Sequence, residues 1–565
     1  MKTESHSIND VLAKNATSFF IPPFQRAYAW GKPEIERYFS DVTRIIDSEL
    51  DSKQQDKLEH FFGTLVIKEE KAGFANKSVI VDGQQRLTTT LIFLIALRDT
   101  ETDSDKVEFI NQNYLTNNSS TFQDKIKLKQ VTKDWDSYKA LVNGLEPNPG
   151  VIRIAYELFK KFIREKKMLN PEVEFKDYII AIQRMNVAVI FLDERPFKGE
   201  DPQIIFETLN SLGKPLSLSD LVRNFVLLKM DSESQSHIYE KVWHPKIEEV
   251  FDNNSSKFFR DYLQYKKATS LKVVSDNNTK ELYQQFKDFV DEGFEKHNHF
   301  IDDIVRYVKC YKWIITEVVN DIISRDSSND KEIKELLRII FHDIKSEAFK
   351  PLVLGLLEYH QYEVNGLSLS DESLITALKS IRTYLIRRRI LGLTQGENKN
   401  IVTISKRIFE IAGGKISMIQ LLTNMIYRLR IPNDVELSLS LKSMNFYKGL
   451  NKYSKLILGK IEENNTKVAV DFRNKKVTIE HLMPQKLEDN WKADLGDNFE
   501  EIHQTYLHNI GNLILTEFNS EIGNKSFQEK KSKLQTSSLN YRLDIIKRDI
   551  WNQESIIEHQ ANMIK

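Results

Sequence analysis

The segment VTIEHLMPQ sets two titratable residues, Glu480 and His481, side by side at the end of an apolar, β-like run, and Pro484 then turns the chain out of it. Further on, HNIGNLILTEFNSEIGNKSF puts Asn512 ahead of a second β-like run and Asn519 at the opening of the segment after it. An acid–histidine pair, then two asparagines, suits one-metal hydrolysis of a phosphodiester. Glu480 and Asn519 offer the hard oxygens that Mg²⁺ or Mn²⁺ prefers. His481, with an ordinary imidazole pKa near ~6.5, can take a proton from the attacking water. The metal would stabilise charge on the phosphate and the leaving oxygen. Asn512 is expected to pin the loop and orient the histidine ring, and His508 is a further candidate as ligand, supporting group or DNA contact. Lys525, Lys530, Lys531 and Lys533 form a basic cluster able to meet phosphates. Each residue alone reads more simply as a satisfied core histidine or a turn asparagine; the combination points to chemistry.

A second constellation lies near the N-terminus. IPPFQRAYAW holds Gln25 and Arg26 between apolar neighbours, and VIVDGQQRLTTT holds Asp82, Gly83, Gln84, Gln85 and Arg86 where a strand turns into a helix. Glycine at such a turn permits close backbone approach, and a helix N-terminus beside an arginine favours a bound phosphate. Arg86 can pair bidentately with phosphate oxygens, and Asp82 could hold a metal or orient water.

These residues need elements to carry them. Ile35, Tyr38, Phe39, Val42, Ile45 and Ile46 recur at helical spacing after Pro33. Phe61–Ile67, Ser78–Val81 and Val187–Leu192 read as strands, and a helix burying Leu87, Leu91, Leu94 and Ile95 should follow the second. Gln203–Leu212 reads as a helix stopped by Gly213, and Ser217 with Asp220 as the capping box of the next. From about Leu221 to Arg430 the apolar period stays near 3.6, which predicts a helical middle. Pro432 and Asn433 mark a last boundary, followed by a β-like stretch from Val468 to Leu482 and a mostly helical tail. The expected class is α+β, predominantly helical.

Composition sets the bounds. A chain of 565 residues exceeds one hydrophobic core, and 41% hydrophobic with 29% charged residues predicts folded structure throughout. With 81 basic and 81 acidic residues the net charge is zero, so any nucleic-acid surface must be local. The single Cys310 excludes an internal disulfide and a cysteine-based zinc site and suits a reducing cytosol. No stretch is apolar for the ~20 residues of a membrane span, and the start lacks a secretory h-region. A soluble, cytoplasmic protein with no membrane partner is expected.

From about Pro432 to Lys533 the sequence resembles the HNH-type nuclease domain of GmrSD-like, modification-dependent (type IV) restriction endonucleases. The likeness rests on Glu480, His481, Pro484, Gln485, Trp491, His508, Gly511, Asn512, Leu513, Asn519, Asn524, Lys525 and Phe527. Residues from about Ile8 to Leu228 are similar to the ParB-like domain of the same enzymes, through PFQRAYAW, FFGTLV, DGQQRLTT and FETLNSLGKPLSLSDL. The resemblance implies three parts: a ParB/sulfiredoxin-like domain over 1–228, a helical connection over 229–430, and a ββα-metal nuclease domain over 431–565. It implies a nucleotide or phosphate site at Gln25, Arg26, Asp82, Gly83, Gln84, Gln85 and Arg86, with Asn210, Lys214 and Asp220 as weaker additions, hydrolysing GTP, ATP or CTP. The expected function is an anti-phage endonuclease cutting modified phage DNA, glucosylated or phosphorothioate, under nucleotide control, with oligomeric state open. The alternatives are a nucleotide-switched DNA-binding adaptor with an inert nuclease scaffold, and an RNA-directed growth-arrest nuclease. Three departures stand out: Asn519 where many members carry histidine, Ala27 where proline is usual, and Leu212 where arginine is usual.

Overall fold

The computed structural model describes residues 2–565 apart from 14–16, 52–55, 73–74, 118–124, 193–215, 229, 231, 252–254, 270, 272–277, 294–296, 317–327, 394–396, 426–428, 451–452, 467–468, 538 and 540–544. The chain forms two compact units, Met1–Phe259 with Lys272–Asp302, and Arg260–Leu271 with Asp303–Lys565. Among the described residues helix dominates both, with one mixed sheet in the first and one hairpin in the second. This is the expected α+β class. Among the described residues no helix is long and apolar enough to cross a membrane.

In the first unit, strands β1 (Lys2–Ser7), β2 (Thr17–Phe20), β3 (His60–Ala72), β4 (Ala75–Asp82), β5 (Leu128–Lys129) and β6 (Met185–Leu192) form one sheet in the order β1-β6-β3-β4-β2-β5. The helix Gln84–Arg98 leaves β4 at the DGQQR turn with Leu87 and Leu91–Leu97 fully buried. An apolar run this short is a core helix wrapped on all sides. It packs against Lys32–Leu50 and Val151–Leu169, where the rings of Tyr38, Phe93 and Phe159 meet edge to face at 5.4–5.7 Å. The predicted capping box is formed, with Ser217 N–H donating to Asp220 and Asp220 N–H to Ser217 Oγ at the start of Leu218–Leu228. The predicted helix Gln203–Leu212, with Asn210, Lys214 and Leu212 itself, lies outside the described residues.

In the second unit, helices that include Ser328–Arg338, Lys350–Gln361 and Asp371–Ile390 lead to the hairpin of β7 (Thr478–His481) and β8 (Leu513–Thr516). The two strands are antiparallel, with Glu480 opposite Ile514 and His481 opposite Leu513. A short helix, Asn519–Ile522, follows β8, and then Phe527–Leu534 and Gln553–Ile564. Leu482, Met483, Trp491, Ile514, Phe527 and Trp551 form the core beneath the hairpin. Gly511 allows the turn before β8 to press on the last helix, since a Cβ there would stand 2.5 Å from the Ile556 carbonyl oxygen. Of the β-like stretch expected from Val468, itself outside the described residues, the part from 469 onward reduces to β7. Residues 471–477 instead turn on themselves, Asn474 N–H donating to the Asp471 carbonyl and Val477 N–H to that of Asn474.

Candidate functional site

Successive side chains on a strand face opposite ways, so the neighbours Glu480 and His481 part company at the end of β7. Glu480 enters the core. Its carboxylate meets the ammonium of Lys530 at 2.5 Å, both groups are buried, and Lys530 also donates to the His481 carbonyl at 2.7 Å. Burial pushes the Glu480 carboxyl up and the Lys530 ammonium down, each offset by the other's charge.

His481 turns to the other side. Its Nε2 lies 3.1 Å from His508 Nδ1, and the Tyr447 ring stands edge-on to it at 4.7 Å while stacking on His508 at 5.6 Å. The His508 carbonyl accepts from the N–H groups of Phe446 and Tyr447, which fixes Tyr447 against the pair. Burial, then the neighbouring His508, Lys530 and His503, lower the His481 pKa to about 3, so the ring is neutral at neutral pH. Two neutral imidazoles at this distance share one proton. In the tautomer in which His481 Nε2–H donates to His508 Nδ1, His481 Nδ1 keeps a lone pair able to accept a proton.

Asn512 is fully buried. Its Oδ1 accepts from Met483 N–H and Trp551 Nε1–H, and its Nδ2 donates to the carbonyls of Met483 and Leu507. It therefore ties down the loop after β7, whereas the His481 ring is contacted by His508 and Tyr447. Asn512→Ala would leave two N–H donors and two carbonyls short of partners at about 1–3 kcal/mol each. Loss of the thermal transition of this unit, read by hydrogen exchange across β7 and β8, is the expected outcome. Unchanged protection would refute the staple.

Asn519 donates from Nδ2 to the Ile479 carbonyl at 2.7 Å and lines an open cleft of 580 Å³ together with Tyr447, Lys448, Lys455, Lys475 and Ile479. The expected pairing of Glu480 with Asn519 around a metal is not what the side chains do. Glu480 is held by Lys530 on the opposite face of β7, and among the described residues no three His, Cys, Asp or Glu side chains gather as a cation site. Among the described side chains, Glu480 paired with Lys530 and Asn519 bonded to the Ile479 carbonyl do not compose an oxygen cage for Mg²⁺ or Mn²⁺.

The expected basic cluster also divides. Lys530 is buried, Lys531 donates to the Arg548 carbonyl, Lys533 pairs with Glu521, and Lys525 is exposed while its carbonyl accepts from Trp491 Nε1. Each helix turn sends only some of its lysines outward.

In the first unit Gly83 takes φ +91°, and a Cβ there would stand 2.3 Å from Leu65 Cδ2 and 2.9 Å from the Thr64 carbonyl oxygen. Only glycine fits the turn. The three glutamines are buried, Gln25 and Gln85 bonding the backbone and Gln84 bonding Gln25. Gln25 donates to the Val81 carbonyl, Gln84 to Gln25 Oε1 and Gln85 to the Ala27 carbonyl, while Gln85 Oε1 accepts from Ala29 N–H. Their amides thus join the loop after β2 to the DGQQR turn, and the groups left to meet a ligand are the charged ones. Arg86 donates to the Thr64 carbonyl and to Asp82, and its Nε has no partner among the described residues. Burial lowers the Arg26 pKa while Asp220 and then Asp82 raise it. Burial also raises Asp82, against the pull of Arg86, the Gly83 N–H and Arg26.

Both sites fall within matched family regions. Residues 8–227 match the model of the GmrSD restriction endonuclease N-terminal domain, and residues 431–565 match that of the C-terminal domain. The chain belongs to the GmrSD restriction endonuclease family. No curated protein matches it. The GmrSD assignment makes it a restriction endonuclease, a hydrolase acting on DNA, and sets the His481 cluster in one GmrSD domain and the DGQQR turn in the other. Tyr447, Lys448, Lys455 and Lys475 were not singled out in the sequence, because no local motif joins them to the Glu480–His481 pair.

Proposed function

We propose that the chain is an anti-phage DNA endonuclease that cuts modified DNA, with His481 as the general base and with nucleotide bound at the DGQQR turn controlling the cut. The observation that carries this reading is the neutral His481, oriented by His508, near a cleft lined by three lysines and, among the described residues, by no acidic side chain. His481 takes a proton from water, the oxygen attacks phosphorus, one phosphodiester P–O bond breaks, and the leaving alkoxide is protonated by solvent. At the other site Arg26 and Arg86 supply phosphate-binding charge beside a helix N-terminus, and Asp82 would orient water. A nuclease gated in this way spares unmodified host DNA.

The test is a cleavage grid of unmodified, glucosylated and phosphorothioate DNA, with Mg²⁺, Mn²⁺ or neither, and with ATP, GTP, CTP or none. Cutting should be confined to a modified DNA and altered by at least one nucleotide. Arg26, which makes no hydrogen bond among the described residues, is the probe of the nucleotide site. Arg26→Ala should weaken that nucleotide by about 10–100-fold in direct titration, the worth of a charge-assisted contact. Equal cutting of all DNAs without nucleotide would sink the gate, and degradation of RNA alone would sink the restriction reading. A second reading, an inert nuclease scaffold on a DNA-binding switch, draws support from the Glu480–Lys530 pair, which occupies the carboxylate that precedes the base in sequence.

A further inference from the structure

The cleft beside His481 has features that the general-base reading does not use. Ile479, which lines it, shares a face of β7 with His481, and Tyr447, also in its wall, lies edge-on to the His481 ring. Lys448 and Lys475 are exposed, and Lys455 is half-buried and donates to the Asn474 carbonyl at 2.7 Å. The turn that carries Lys475 is anchored, because Arg473 binds both Asp343 and Glu335. Asp471 is the acidic group that acts on Lys455, and it lies outside the lining. The cleft volume of 580 Å³ is within the range of about 300–1,000 Å³ of small-ligand sites and leaves room for a nucleotide.

We propose that this cleft is the track for the sugar–phosphate backbone of the DNA strand being cut, gripped by Lys448, Lys455 and Lys475 and leading to His481. The inference rests on the nuclease reading above and supplies the local basic surface that a chain of zero net charge needs. The segments before β7 carry that surface, while Lys530, Lys531 and Lys533 of the tail are committed to Glu480, the Arg548 carbonyl and Glu521. The Arg473-anchored turn and the bond from Lys455 to the Asn474 carbonyl hold cations in place before the strand arrives, which lowers the ordering cost of binding.

The test uses the full chain carrying His481→Ala, so that DNA is not consumed. Fluorescence anisotropy with labelled unmodified, glucosylated and phosphorothioate duplexes is read across a salt series. Adding Lys448→Gln and Lys475→Gln should weaken binding of every duplex on the order of tenfold to thirtyfold and lower the slope of log K against log salt by about 2. The exposed Lys415→Gln serves as the control that leaves both unaltered, and melting curves check that each variant is folded. Unaltered affinity and slope in the double variant would overturn the track, as would failure of the parent to bind any duplex or a grip confined to RNA. The two readings fail separately. Cleavage that survives His481→Ala removes the base without touching the slope, whereas an unaltered slope removes the track and leaves the base standing.

Discussion

His481→Ala should lower the rate of DNA cleavage by about 10²–10⁴-fold, the range a positioned general base contributes, while duplex binding persists. The effect is expected in kcat, because His481 is not among the residues that line the cleft and meets it through the edge-on ring of Tyr447 in the wall. The pH profile gives the sharper readout. The base must be neutral to accept a proton, so activity is lost as pH falls through the folded pKa. Burial and His508 lower that value to about 3 in the free enzyme, and the acid limb of kcat/KM should lie well below the ~6.5 of an ordinary imidazole. His508→Ala removes the second of those causes and the group that fixes the tautomer. It should move the limb upward and lower kcat by about tenfold or more. A wild-type limb near the ordinary imidazole value, or cleavage unaltered by His481→Ala, would transfer the role of base to another group and favour the inert-scaffold reading.

How far the sequence reveals this arrangement depends on whether a residue's role is local. The strands around Phe61–Ile67, Ser78–Val81 and Val187–Leu192 and the helices after Pro33 and Asp82 carry their own apolar periods, and they stand where those periods put them. β1 has no such period. KTESHS is polar throughout because a strand that, among the described residues, sits at the sheet edge beside β6 needs no apolar face of its own. The same division holds at the sites. His481 and Asn512 are legible because a strand end and a tight turn dictate their positions. The partner of Glu480 is not legible, since whether a carboxylate meets a metal or a lysine depends on which side of β7 it takes and on what Phe527–Leu534 sends up to meet it. Gln25, Gln84 and Gln85 present a similar ambiguity. Buried amides that satisfy a backbone and exposed amides that grip phosphate have identical spelling, and only burial separates them.

Lys530→Met should destabilise the second unit by about 3–5 kcal/mol, the cost of leaving a buried carboxylate without its counter-charge. At about 2–4 °C per kcal/mol this is on the order of 10 °C in melting temperature, and hydrogen exchange across β7 and β8 should localise it. The reason is geometric. Lys530 is fully buried, with its ammonium divided between Glu480 and the His481 carbonyl, so its removal frees both the acid and the main chain that carries the base. The penalty should also depend on pH. Without Lys530 the Glu480 pKa rises further above its unfolded value, the folded state then binds the extra proton, and stability falls as pH rises from the unfolded carboxyl pKa through the folded one. The variant should therefore approach wild-type stability on acidification. Replacing both partners, Glu480→Leu with Lys530→Met, should recover most of the loss, because two apolar groups of similar volume need no counter-charge. A ligand role for Glu480 makes the opposite forecast: Lys530→Met would be mild, Glu480→Gln would leave stability alone, and activity would fall with a raised demand for Mg²⁺ or Mn²⁺. If the double variant is stable and still cuts DNA at a comparable rate, the acid beside His481 is a clamp for the strand end, and the hydrolytic machinery is the histidine pair and whatever the DNA brings with it.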